Sequence, residues 1–79
     1  MKKSEMHEGK FYEDANHQVR QVIKIVNEMA TFEVIHRGNA TMFHSSVPAI
    51  GFTRTVKVST MAGWARAEVN DPRIQEVAS

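Results

Sequence analysis

Val19–Val26 reads Val-Arg-Gln-Val-Ile-Lys-Ile-Val, and five of these eight residues are β-branched. Side chains of that kind are stiff at χ1 and pack well on a pleated surface, so the run favours a strand. A helix competes, because Val19, Val22, Ile23, Val26 and Ala30 recur at helical spacing and Asn16 can cap the start. Composition tips the reading toward the strand.

Asn27-Glu28 then reads as a hairpin tip and residues 30–37 as the returning strand, stopped by Gly38-Asn39. In that strand Ala30, Phe32, Val34 and His36 alternate with Thr31, Glu33, Ile35 and Arg37. The first set is expected to meet the core, with Ile35 an apolar exception on the wet side. Upstream, residues 9–14 offer a short strand, and Asp14-Ala15-Asn16-His17 is rich in turn formers. Downstream, residues 53–58 resume a strand pattern. Ser59 or Thr60 is then placed to cap a helix over residues 61–68, weakened at Gly63 and ended by Asn70-Asp71-Pro72. Residues 40–52 have no period and include Pro48 and Gly51, so they form a functional loop or hide a short strand near residues 41–44.

Four or five short strands and one late helix in 79 residues predict an α+β fold. It is expected to be a small, mainly antiparallel curled sheet or an SH3-like barrel with a C-terminal helix. No stretch matches a family motif. A hydrophobic content of 42%, a charged content of 24% and a net charge of +1 describe a single globular domain over residues 9–79, preceded by a flexible polar arm at residues 1–8. A chain this short hides only about 60% of its unfolded surface, which makes self-association, in the first instance as a dimer, an expectation.

There is no cysteine, so disulfides, thiolate metal sites and thiol nucleophiles are excluded. The N-terminal residues lack the apolar run of a secretory signal, and no stretch is long and apolar enough to span a membrane. The expected address is the cytoplasm of a bacterium. The small size and lack of signals suit an accessory product of a mobile element.

No catalytic, cofactor or metal site is expected. His7, His17, His36 and His44 lack zinc-ligand spacing, and only a loop folded back would bring His44 to His36 and Glu33. His44, Ser45 or Ser46 with Glu33 or Asp71 can be named as a triad, but no Gly-x-Ser-x-Gly elbow holds them. The paired carboxylates Glu13 and Asp14 sit at a turn, and the four glycines are scattered.

Charge is distributed unevenly. Residues 15–57 carry five basic and two acidic side chains, whereas the segments on either side each carry one more acid than base. Arg20 and Lys24 are expected to share a strand face that Arg37, Arg54 and Lys57 can join, a modest stripe for nucleic-acid phosphates. Met42, Phe43, Val47 and Ile50 supply adaptable apolar area for a protein interface. Trp64 reads as the anchor of the helix on the sheet. The chain is therefore expected to be a non-enzymatic binding domain that self-associates. Nucleic-acid binding is the alternative, and binding of a small ligand or metal a second one.

Overall fold

The β-branched run forms a strand, as its composition favours, and the helical alternative is not taken. Two residues with positive φ, Asn27 at 50° and Glu28 at 66°, turn it back on itself. This is the primed geometry that matches the twist of a two-residue hairpin. The structure, a computed structural model, describes residues 1–38 and 49–71. A 3-10 turn at Lys3–Glu5 is followed by β1 (Phe11–Glu13), β2 (Val19–Val26), β3 (Met29–His36), β4 (Thr53–Lys57), α1 (Val58–Trp64) and β5 (Ala67–Val69). The strands make one antiparallel sheet in the order β4-β3-β2-β1-β5. The sheet is open, with β4 and β5 at its edges, so the curled-sheet form of the expectation holds and the barrel does not close.

One face of the sheet is covered. Tyr12, Val22, Ala30, Phe32 and Val34 pack there against Val58, Met61, Ala62 and Ala65 of the helical side, with Met6 completing the cluster. The expected core face of β3 is confirmed at Ala30, Phe32 and Val34 but not at His36, which is exposed. The reason is a register shift between Val19 and Arg20, whose partners are His36 and Val34, so that Ile35 is an extra residue in β3. Ile35 is accordingly buried, at 4% exposure, not on the wet side. A second shift makes Ile23 the extra residue of β2, because Val22 pairs with Phe32 and Lys24 with the very next position, Thr31.

The helix is shorter than the expected 61–68 span. It starts at Val58 with no side-chain cap from Ser59 or Thr60. The Val58 N–H instead donates to the Glu28 carbonyl of the hairpin tip at 2.8 Å. After Trp64 the free edge of β1 competes for the backbone. The Arg66 N–H donates to the Glu13 carbonyl at 2.7 Å, and Ala67–Val69 pairs with β1 as β5. A seven-residue helix holding a glycine has little propensity of its own to oppose that ladder.

Residues 1–8, expected as a flexible arm, lie against the fold in this structure. Met6 is 4% exposed, and the Tyr12 hydroxyl donates to the Glu5 carbonyl and accepts from the His7 N–H. The Met1 ammonium donates to the Ala62 and Ala65 carbonyls at 2.9 and 3.2 Å, beside the C-terminal turn of α1 where carbonyls lack intrahelical partners. Glu8 accepts the Ile25 N–H at 2.7 Å, on the part of β2 that extends past the end of β1.

Candidate functional site

Cross-strand neighbours share a face of the sheet, so register sorts the basic residues. Arg20 pairs with Tyr12 and Val34, both fully buried, and therefore stands on the inner, helix-covered face. Arg54 pairs with Phe32 and stands on that face too. Lys24 pairs with Thr31, and Lys57 with Met29, on the opposite face. The expectation that Arg20 and Lys24 share a face is thus overturned by the extra residue Ile23, which shifts the alternation by one between them. Arg37 follows the end of β3 and is half-buried. The expected stripe is two pairs on two faces.

Arg20 is held in a sandwich. Its guanidinium carbon lies 4.3 Å from the centroid of Phe32 and 4.0 Å from that of Trp64, which reaches over from the end of α1. Its Nε–H donates to the Gln18 side-chain oxygen at 2.8 Å. Cation–π contacts of this kind strengthen as the cation loses water. Burial pulls the Arg20 pKa down to about 10, Asp14 works against that shift, and the nearby Arg54 charge adds to it. The group remains charged at neutral pH. Trp64 anchors the helix as expected, and the ring contact through which it does so, onto a cation, is not legible from sequence spacing.

The outer face carries an apolar group at the hairpin end. Val26 and Met29 are a cross-strand pair, exposed to 52% and 37%, and Ile23 at the bulge is exposed to 43%. Sequence reasoning passed over these three. Their signal was present in the apolar residues on both sides of the Asn27-Glu28 tip, where a solvated hairpin end is ordinarily polar. Of the expected interface residues, Ile50 is 64% exposed, next to Gly51 and the half-exposed Phe52 that hydrogen-bond to Val34. Met42, Phe43 and Val47 lie outside the described residues.

Among the described residues, no group of three or more His, Asp or Glu side chains is arranged to hold a metal ion. His44, Ser45 and Ser46 lie outside them. His17 contacts Glu13 at 3.3 Å, and His36 accepts the Gly38 N–H at 2.8 Å, both at loop ends. Two surface concavities flank the hairpin tip. One is lined by Asn27, Glu28, Met29, Lys57 and Ser59, the other by Lys3, Ser4, Met6, Ile25, Glu28 and Val58, and neither contains a histidine. No helix among the described residues is long and apolar enough to cross a membrane. Compared with known protein families, with curated proteins and with solved structures, the chain matches none.

Proposed function

We propose that this protein is a non-enzymatic interaction domain that assembles with a second copy of itself through the outer face of the β2–β3 hairpin. The observation that carries this reading is the exposed apolar group Ile23, Val26 and Met29. Contiguous apolar patches mark interaction surfaces, whereas single exposed residues do not. A two-fold contact would set the same patch of each copy against the other, with Lys24 and Lys57 on the same face and Glu28 at the tip providing charges of both signs around it. Covering these partly exposed side chains yields about 1 kcal/mol apiece. That sum offsets only part of the cost of association, so the pair is a weak one that dissociates on dilution. The absence of cysteine suits such a domain to a reducing cytoplasm.

The test is the solution mass across a dilution series, in low and moderate salt, with and without random DNA and RNA. A concentration-dependent dimer that Val26→Glu converts to monomer, without lowering the unfolding midpoint, supports the reading. A monomer at every concentration, or a dimer indifferent to Val26→Glu, overturns it. A mass that rises only with nucleic acid at low salt favours the second reading, in which Arg54 and Lys57, both exposed on the edge strand β4, contact phosphates.

A further inference from the structure

Phe32 and Trp64 both lie against the Arg20 guanidinium, and neither ring is a conventional acceptor for its N–H groups. A guanidinium has five N–H donors in its own plane, and here one of them, on Nε, is given to Gln18. No further acceptor among the described residues takes up the remaining four on the two Nη atoms. Contact with Phe32 and Trp64 confines the guanidinium, so less side-chain freedom is lost when an anion meets it.

A second cation converges on the same place. Arg54 is the cross-strand neighbour of Phe32, the ring on which Arg20 lies, and its charge is felt at Arg20. Arg54 is exposed and has no acidic partner among the described residues. Asp14 offsets part of the positive charge at Arg20, the like charge of Arg54 acts in the opposite sense, and an anion that meets both guanidinium groups relieves the repulsion between them.

We propose that Arg20 and Arg54 form a binding site for a phosphate oxyanion, with Arg20 as the prealigned fork and Arg54 as the second, mobile contact. Two guanidinium groups match the charge and the several acceptor oxygens of a phosphate better than those of a single carboxylate. The site stands on the inner face and is independent of the self-association proposed for the outer one. The phosphate can be free or part of a nucleic-acid backbone.

The experiment follows the Arg20 Nε–H resonance in nitrogen-15-labelled protein during titration with inorganic phosphate, with ionic strength held constant by chloride. A saturable shift that Arg54→Ala weakens by about tenfold supports the site. Arg54 lies outside the core, and an unchanged unfolding midpoint verifies that the variant is folded. A non-saturating drift equal to that in chloride alone, or a saturable shift indifferent to Arg54→Ala, overturns it. Acetate producing the same shift at the same concentrations also overturns the phosphate assignment. A thymidylate oligomer that displaces phosphate names the nucleic-acid backbone as the source, and one that fails to displace it names free phosphate.

Discussion

The Tyr12 hydroxyl donates a 2.8 Å hydrogen bond to the Glu5 carbonyl, tying the first strand to the turn that precedes it. The same oxygen accepts the His7 N–H at 2.9 Å, so one buried phenol satisfies two backbone groups. Tyr12→Phe leaves both without a partner and is expected to cost about 1–3 kcal/mol, read as a fall in the urea midpoint at unchanged slope.

Tyr12 also sets a pH dependence. Burial raises its pKa above the ordinary 10.0, the His7 hydrogen bond opposes this, and the Glu68 and Glu5 charges add to it. The fold therefore favours the neutral phenol. Its contribution is fully present below pH 10 and is lost as pH rises through the higher folded value. Unfolding midpoints measured between neutrality and strong alkali should begin to fall above pH 10.0 in the wild type. They should fall less steeply in Tyr12→Phe.

Two glycines with positive φ should respond differently to alanine. At Gly38, with φ 69°, an added Cβ would run into the Asn16 carbonyl and the Gln18 amide of the β1–β2 turn. At Gly51, with φ 95°, it would meet nothing. Gly51→Ala should cost about 1–2 kcal/mol from backbone strain alone, and Gly38→Ala clearly more. Equal thermal midpoints for the two variants would contradict the close approach at Gly38.

Gly63 has the opposite prospect. It lies inside α1 with open space where a Cβ would stand, and its φ is not positive. Gly63→Ala is expected to stabilise the protein by about 0.5–1 kcal/mol, seen as a higher melting temperature.

Trp64→Ala removes half of the sandwich and uncovers Arg20. The expected loss is about 2–3 kcal/mol by circular dichroism in urea, and Trp64→Phe, which restores a ring, should recover most of it.

The hairpin was legible because β-branched residues and a period of two act locally, and the Asn27-Glu28 tip lies where the pattern breaks. The bulges were not legible. An extra residue is selected by pairing between strands, and once Ile23 and Ile35 take those places, counting by twos puts Lys24, Ile35 and His36 on the wrong side. β5 was hidden for a related reason. Ala67 and Glu68 have no strand preference of their own and are extended because β1 offers an edge. Of the candidate site, Arg20 and Arg54 were named, but the rings that hold Arg20 come from β3 and α1, and no spacing in the chain announces that meeting.

The pairing of β5 with β1 joins residues 11–13 to residues 67–69, so the first of the described strands waits for the last. Before residues 67–69 dock, the β1 edge of the sheet offers bare backbone donors and acceptors. Such distant pairings form slowly, because the loop between them must close before any contact compensates. The interval between the completion of β4 and the docking of three short residues is when a neighbouring nascent chain can add a strand in their place.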